Sequence, residues 1–124
     1  MKILPIEFYK PEIVQKAWGY ELVIDNNEKY CGKILHYNKA GIKSSAHMHY
    51  NKSESMLVRQ GAFWFWYWDD KGNKQSQFMK EGECVRIPAG RMHQLQSVNE
   101  HSEMFECSTF HSDEDVYRTE PSQS

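Results

Sequence analysis

The chain has 124 residues, of which 40% are hydrophobic and 14% aromatic, and its formal net charge is -2. A chain of this length and composition is expected to form one globular domain with its own core, and a disordered chain is excluded. The small net charge gives no reason to expect a nucleic acid or an anionic membrane as partner. No apolar run is long enough to cross a bilayer as a helix.

The cysteines and the first residues bear on the cellular compartment. Cys31, Cys84 and Cys107 are odd in number and scattered, without a C-x-x-C spacing. This pattern favours reduced, buried thiols over a disulfide framework. Pro5 and Glu7 interrupt the N-terminal apolar residues, so a signal peptide is not expected. The sequence therefore predicts a cytoplasmic protein.

Strand patterns dominate the chain, and no stretch longer than a few residues shows helical periodicity. In chain order, strands are predicted at 13–15, 22–24, 31–37, 46–50, 62–68, 75–79, 84–87, 94–98 and 103–110. Short strands separated by frequent turn signals predict an all-β barrel or sandwich in a single domain. The predicted organisation is an N-terminal arm (1–17), a β-barrel (18–112) and an acidic C-terminal tail (113–124).

Six consecutive aromatic residues occupy positions 63–68. Because side chains alternate faces along a strand, both faces of this strand are apolar. One face is expected to fill the barrel and the other needs a cover. The pattern favours a homodimer formed through Trp64, Trp66 or their neighbours, with coverage of both faces inside the monomer as the alternative.

Three histidines and a glutamate form the candidate metal site. If residues 46–50 form a strand, His47 and His49 point to the same face, about 7 Å apart. Glu54 has the wrong parity for that strand, but turn-forming residues before it would let the chain fold back toward the imidazoles. His93, which follows a Pro-x-Gly turn, is the candidate fourth ligand. Such a donor set suits manganese, iron, cobalt, nickel, copper or zinc, and it does not choose among them.

The two segments that carry these ligands resemble the paired motifs of the cupin superfamily. The resemblance rests on nine fixed positions in register over about fifty residues, at Gly41, His47, His49, Glu54, Gly61, Gly82, Pro88, Gly90 and His93. The family often has an asparagine where this chain has Ser97. The resemblance implies a cupin double-stranded β-helix, or jelly-roll barrel, and one divalent metal ion held by the three histidines and the glutamate.

Residues near both ends of the chain indicate a resemblance to one particular branch of the cupin superfamily. The opening Trp-Gly-Tyr-Glu at 18–21 and the acidic segment 114–120, which contains Arg118, are similar to the terminal signatures of the C-terminal domain of type II mannose-6-phosphate isomerases. This similarity covers about residues 12–120. It implies a metal-assisted aldose–ketose isomerisation of a sugar or sugar phosphate through an enediol. Arg118 is then expected near the sugar or its phosphate, since a guanidinium suits a phosphate or a vicinal diol.

An isomerase also needs a group that moves a proton between adjacent carbons. Glu106, His111 and Lys43 are the candidates, and the sequence does not rank them. Two other functions stay open. An iron-dependent dioxygenase would use the same four ligands, and a non-catalytic module would bind a metal or a carbohydrate without turnover. All three readings have a small molecule as the partner.

Overall fold

The computed structural model describes residues 1–123, which form eleven β-strands and no helix. The strands are β1 (Glu12–Lys16), β2 (Gly19–Asn26), β3 (Cys31–Tyr37), β4 (Ala46–Met48), β5 (Glu54–Gln60), β6 (Ala62–Trp68), β7 (Lys74–Lys80), β8 (Cys84–Ile87), β9 (His93–Ser97), β10 (Ser102–Ser108) and β11 (Tyr117–Glu120). No helix long and apolar enough to cross a membrane occurs in this part of the chain.

The strands form two antiparallel sheets. The first sheet has the order β1-β2-β3-β10-β5-β8, and the second has the order β11-β4-β9-β6-β7. Neighbours such as β3 and β10 are far apart in the sequence, as expected when strands cross between the sheets of a jelly roll. The all-β prediction is confirmed.

The core lies between the two sheets and follows from side-chain alternation. In β3, Cys31, Lys33, Leu35 and Tyr37 are buried, whereas the residues between them are half-buried on the outer face. Strand β6 sends Phe63 and other aromatic residues inward. The buried apolar cluster consists of Trp18, Leu35, Tyr37, Ile42, Met56, Val58, Phe63, Phe65, Met79, Ile87, Leu95 and Met104.

Both terminal segments take part in the sheets. Strand β1 pairs with β2, so residues 12–16 of the predicted arm belong to the first sheet. Strand β11 pairs with β4, with Arg118 opposite His47, so the predicted tail contributes an edge strand to the second sheet. The predicted tail also includes residue 124, which lies outside the described residues.

The aromatic strand β6 is partly covered by its own chain. On its outer face, the ammonium groups of Lys43 and Lys74 lie 5.5 and 4.8 Å from the centre of the Trp66 ring. The Trp66 indole also donates to the side-chain oxygen of Gln96. Trp64 contacts Phe78 and remains 39% exposed. The homodimer predicted through these tryptophans stays a prediction.

The prediction of three buried thiols is wrong for two of them. Cys31 is buried on the inner face of β3, whereas Cys84 and Cys107 are exposed. The periodicity of β10 explains the difference for Cys107, since Glu106 beside it takes the inward position.

Gly19, in the opening Trp-Gly-Tyr-Glu, allows β2 to lie close to β3. Its φ is 156°, and a methyl group added there would overlap the carbonyl oxygen of His36. Gly72 also has a positive φ, of 80°, but a methyl group there would meet open space. A comparison of alanine substitutions at the two glycines therefore separates the cost of backbone strain from the cost of steric overlap.

We expect Gly19→Ala to lower the free energy of unfolding by about 3 kcal/mol, because strain and overlap add. Gly72→Ala, the matched control, should cost about 1 kcal/mol from strain alone. Urea denaturation monitored by tryptophan fluorescence measures both values. Equal losses in the two variants would show that the close approach of β2 to β3 does not limit residue 19.

Candidate metal centre and its cavity

Three strands bring the four predicted ligands together at one place between the sheets. His47 in β4 pairs directly with His93, the first residue of β9. Their rings are 4.6 Å apart between centres, and the His49 ring is 5.0 Å from His47 and 6.3 Å from His93. Glu54 opens β5, and its Oε1 is 3.0 Å from Nε2 of His93. Strand β4 ends at Met48, so His49 lies just beyond the predicted strand but still points into the cluster.

Each imidazole is oriented by a backbone carbonyl. Nδ1 of His47 lies 2.9 Å from the carbonyl oxygen of Ser45, and Nδ1 of His93 lies 2.9 Å from that of Arg91. Nδ1 of His49 lies 2.8 Å from the carbonyl oxygen of Asp115. A carbonyl can only accept, so each Nδ1 carries a proton, and in the neutral form of each ring Nε2 keeps a free lone pair. This tautomer, held by a second shell, is the one that metal-binding histidines use.

The donor atoms that face one another are buried and unsatisfied. Nε2 of His93 and Oε1 of Glu54 face each other without hydrogen-bond geometry, whereas Oε2 of Glu54 is paired with the Lys52 ammonium. Buried polar atoms without partners are costly, which points to a group that would satisfy them. Among residues 1–123, no group of three or more His, Cys, Asp or Glu side chains is arranged to hold a metal ion as the structure stands. The chemical types of the four donors nevertheless suit a divalent ion.

The electrostatics keep the ligands in their metal-binding protonation states. Burial lowers the pKa of His47 to about 3, and the nearby His93 adds to this effect. Burial also lowers the pKa of His49. Burial alone would raise the pKa of Glu54, but His93 and Lys52 outweigh it and hold that pKa below its ordinary value. Near neutral pH the site therefore presents neutral imidazoles at His47 and His49 and a carboxylate at Glu54.

Lys52 is the principal site residue that the sequence analysis missed. It lies among the turn-forming residues before Glu54, yet it is only 3% exposed. Its ammonium lies 2.7 Å from Glu106 Oε2 and 3.2 Å from Glu54 Oε2. Burial alone would lower the pKa of Lys52, but the two carboxylates raise it, so the side chain is an ammonium. Burial and Glu54 in turn raise the pKa of Glu106.

His111 extends this buried charge network to the surface. Its Nδ1 accepts from Lys52 at 3.2 Å, and its Nε2 donates to Asp113 at 3.0 Å. Burial, with the positive charges of Lys33 and Lys52, lowers the pKa of His111 to about 4. The ring is therefore neutral at pH 7, with both nitrogens engaged.

Asp115 is a second residue that the sequence did not single out. Its carboxylate accepts from the backbone N–H groups of Tyr50, Asn51 and Lys52, at 2.9 to 3.0 Å. It thereby fixes the loop between His49 and Glu54, while its own carbonyl orients His49. The one feature of the sequence that could have indicated a role for Asp115 is its position in the acidic segment that precedes Arg118.

A cavity of about 290 Å³ opens beside the four predicted ligands and is lined by them. Glu106, His111 and Arg118, three of the proposed catalytic residues, also line it. Arg118 is exposed, and its Nε donates to Ser45 Oγ at 3.3 Å. The structure does not bring Lys43 to this cavity, because its ammonium lies over Trp66 on the outside of the second sheet.

The fold and the site geometry define a cupin, and a comparison with family models identifies the branch. The model described as mannose-6-phosphate isomerase C-terminal matches residues 7–120. The chain therefore belongs to this family, which confirms the resemblance seen in the terminal segments. No curated protein matches the sequence significantly.

Solved structures with the same fold include proteins of other descriptions. Oxalate decarboxylase from Bacillus subtilis has a TM-score of 0.76 at 18% identity, over 87% of this chain and 30% of that chain. The capsular polysaccharide assembling protein CapF from Staphylococcus aureus has a TM-score of 0.77 at 18% identity, over 91% of this chain and 32% of that chain. The chain thus spans about a third of their length, and at these identities the likeness shows the fold alone.

The lowered pKa of His111 predicts a dependence of stability on pH. The unfolded chain binds a proton near pH 6.5, while folded His111 does so only near pH 4, so stability is lost as the pH falls between these values. For this partly exposed group we expect a loss of about 1 kcal/mol between pH 7.5 and pH 5 after allowing for screening. Urea denaturation at the two pH values measures it in the metal-free protein.

The matched variant is His111→Gln, which keeps a polar side chain without a titrating ring. Its loss of stability between pH 7.5 and pH 5 should be smaller than that of wild type by about the same 1 kcal/mol. An identical pH dependence in both proteins would mean that His111 is not held in its neutral form by the fold.

Proposed function

We propose that this protein is a metal-dependent cupin enzyme that isomerises or epimerises a small sugar or sugar phosphate. The observation that carries the proposal is the set of three imidazoles whose Nδ1 protons are held by backbone carbonyls, beside the buried carboxylate of Glu54, whose Oε1 faces Nε2 of His93. Membership of the mannose-6-phosphate isomerase C-terminal family supports the reaction class. The proposed ligands are His47, His49, Glu54 and His93.

The proposed ion is divalent, and nitrogen and oxygen donors of this kind suit manganese, iron, cobalt, nickel or zinc. Such an ion supplies Lewis acidity, which polarises a carbonyl and favours loss of a proton from the adjacent carbon. The carboxylate of Glu54, with its lowered pKa, supplies the negative charge of the donor set.

The cavity fits a small polar ligand. Its volume of about 290 Å³ is near the lower end of ligand sites, which span roughly 300–1,000 Å³. Four acidic side chains are balanced there by four basic ones, Lys16, Lys33, Lys52 and Arg118. A bound divalent ion would make the cavity net positive, so an anionic substrate is favoured. Arg118, exposed and opposite His47, is proposed to bind its phosphate.

Glu106 is the proposed proton carrier. It is buried in the cavity, and its raised pKa suits a group that must take up and return a proton near neutral pH. Lys52 holds the Glu106 carboxylate at 2.7 Å and is proposed to orient it. His111 accepts from the Lys52 ammonium and donates to exposed Asp113, which supports a role in connecting the buried pair to the solvent.

The proposed acting species is a homodimer in the cytoplasm, as the sequence predicts. The apolar N-terminal arm supports the dimer, because Ile3, Leu4, Ile6 and Phe8 are 71–96% exposed in the single chain. The odd, scattered cysteines support the reducing compartment.

Removal of one proposed ligand should empty the site without unfolding the barrel. We expect His49→Ala and His93→Ala to lower metal occupancy about tenfold or more, since even second-shell changes cost that much affinity. Elemental analysis after identical metal loading and dialysis measures the occupancy, and circular dichroism checks the fold. His36→Ala, outside the cavity, is the matched control and should keep the wild-type occupancy. Full occupancy in both ligand variants would refute the assignment.

The reaction class is tested by solvent exchange. Incubated in deuterated water with a panel of aldoses, ketoses and their phosphates, the metal-loaded enzyme should place deuterium on the carbon beside the carbonyl of one pair, as followed by NMR. Glu106→Gln should slow this exchange about 100-fold or more, the usual contribution of a general base. Glu103→Gln, on the outer face of the same strand, is the matched control. The isomerase proposal fails if no sugar in the panel exchanges.

The same panel tests Arg118. We expect Arg118→Ala to raise the KM for phosphorylated substrates by about 10- to 100-fold, the equivalent of a lost charge-assisted hydrogen bond of about 1.5–3 kcal/mol. Metal content should not change. If wild-type affinity is indifferent to the phosphate, the proposed role of Arg118 is wrong.

An iron-dependent dioxygenase is the second candidate, and one observation favours it. A separate cavity of about 410 Å³ reaches His93 from the β7–β8 side, and its lining includes Phe65, Tyr67, Val85 and Ile87. Such a lining suits an apolar substrate better than a sugar. Oxygen consumption with Fe(II), and none of the solvent exchange above, would select this function. Saturable ligand binding without turnover would instead select a non-catalytic module.

A further inference from the structure

A cluster of polar side chains on the outer face of the first sheet joins two histidines to a carboxylate. His36 in β3 pairs with Glu103 in β10, and the neighbours of His36 along the strand, Leu35 and Tyr37, point into the core. Nδ1 of His36 lies 2.9 Å from Oε2 of Glu103. Its Nε2 lies 3.1 Å from Nδ1 of His101, in the turn before β10. The cluster is therefore on the side of the sheet opposite to the proposed metal centre.

The hydrogen bonds decide where the protons of this cluster lie. A carboxylate can only accept, so Nδ1 of His36 carries a proton, and in the neutral form of the ring Nε2 keeps a lone pair. That lone pair faces Nδ1 of His101, which donates to it. A histidine whose other nitrogen donates to a carboxylate is the arrangement that metal-binding histidines use. One shared proton thus lies where two nitrogen donors meet.

Both histidines are held in place by their neighbours. The Tyr20 ring stacks on His36, with ring centres 4.7 Å apart and planes 14° from parallel. The N–H of His101 donates to the carbonyl of Asn38, and its own carbonyl accepts from Gln60. His101 has a φ of 56°, the one positive value at a non-glycine residue in the described part of the chain. Such a conformation is unfavourable and persists only where the surrounding structure determines it. The fold therefore keeps the two nitrogens together before any ligand arrives.

We propose that His36 and His101 form a second, separate metal site, which binds a divalent ion of the copper, nickel or zinc type between Nε2 of His36 and Nδ1 of His101. At metal–nitrogen distances of about 2.0–2.1 Å, two nitrogens 3.1 Å apart subtend roughly 100° at the ion, between the octahedral and tetrahedral angles. Imidazole suits these ions, whereas magnesium and calcium prefer oxygen ligands. The ion replaces the shared proton, which moves to the other nitrogen of the exposed His101 ring, and water completes the coordination.

This site does not depend on the proposed reaction. It has two protein ligands, against four at the proposed centre, so it is the weaker of the two sites. Dialysis against metal-free buffer should empty it, and it should not contribute to the occupancy measured after dialysis. Glu103 acts as a positioning residue, because it holds the proton of His36 on the nitrogen that faces away from the ion.

Calorimetric titration tests the site in the full chain. Zinc-loaded and dialysed wild type should bind one further Zn²⁺ and should give no binding signal with Mg²⁺. His36→Ala, which is expected to keep the proposed centre occupied, should weaken the further binding about tenfold or more. His101→Asn should do the same, since asparagine accepts the left-handed backbone but has no imidazole. Glu103→Gln should weaken it about tenfold, the usual cost of losing a partner that orients a ligand.

The outcome is distinguishable from a failure of the proposed function. If His47, His49, Glu54 and His93 hold no metal, elemental analysis finds no zinc in dialysed wild type. The loss of the titrated ion in His36→Ala and His101→Asn should remain. Circular dichroism of each variant checks that the fold is unchanged.

NMR locates the ion independently of affinity. Substoichiometric Ni²⁺, added to the zinc-loaded and dialysed protein, should broaden the ring-proton signals of His36 and His101 before those of other side chains. Three results would overturn the proposal. One is a wild-type protein that takes up no further ion, and another is unchanged affinity in both His36→Ala and His101→Asn. The third is nickel broadening that begins elsewhere on the surface, which would indicate adventitious binding.

Discussion

The pairing of β4 with β9 is the constraint on which the candidate site depends. It sets His47 directly opposite His93, although the two residues belong to separate motifs. Side chains that face each other across an antiparallel pair lie about 4.5–5.5 Å apart, in agreement with the 4.6 Å between the two rings. A slip of one residue in β9 would turn His93 to the outer face of the sheet. The register of this pair therefore decides whether the proposed donor set exists.

The orientation of the rings has a local origin for two histidines and a distant origin for the third. His47 and His93 each bond to the carbonyl of the residue two positions earlier, so the strand itself fixes the ring. His49 lies beyond the end of β4 and bonds instead to the carbonyl of Asp115. Because the carboxylate of Asp115 also holds the backbone of residues 50–52, the C-terminal segment completes the site. The family match, which extends to residue 120, includes this segment.

The sequence predicted the fold class, and the nearness of His47, His49 and Glu54, from patterns of short range, whereas His93 was named from its resemblance to the second cupin motif. Alternation along β3 and β8 gave strand bounds that agree with the structure, and the spacing of His47, His49 and Glu54 required only strand parity and a turn. Strand β11 was missed because its four residues are all exposed and show no apolar alternation. Its position is decided by long-range pairing with β4, which local pattern does not encode.

Lys52 shows a different limit of sequence reasoning. A lysine among turn formers is normally solvated, and its burial here is explained only by Glu54 and Glu106, which come from β5 and β10. Lys43 is the opposite case. Its position in the first motif suggested a place in the cavity, but its ammonium lies over Trp66 on the outside of the second sheet. Residues whose burial depends on charge partners from other strands are visible only once the sheets are assembled.

The cluster around Lys52 also constrains what the cavity can bind. Lys52 contacts Oε2 of Glu54, whereas Oε1 faces His93, so the ammonium and the imidazoles use different oxygens of one carboxylate. Glu54 could therefore serve the proposed ion through Oε1 without releasing Lys52. Removing Lys52 alone would leave the carboxylates of Glu54 and Glu106 buried without their ammonium partner, which is strongly unfavourable. With the proposed ion added, positive charge would exceed negative in the cavity, which supports the proposed anionic substrate.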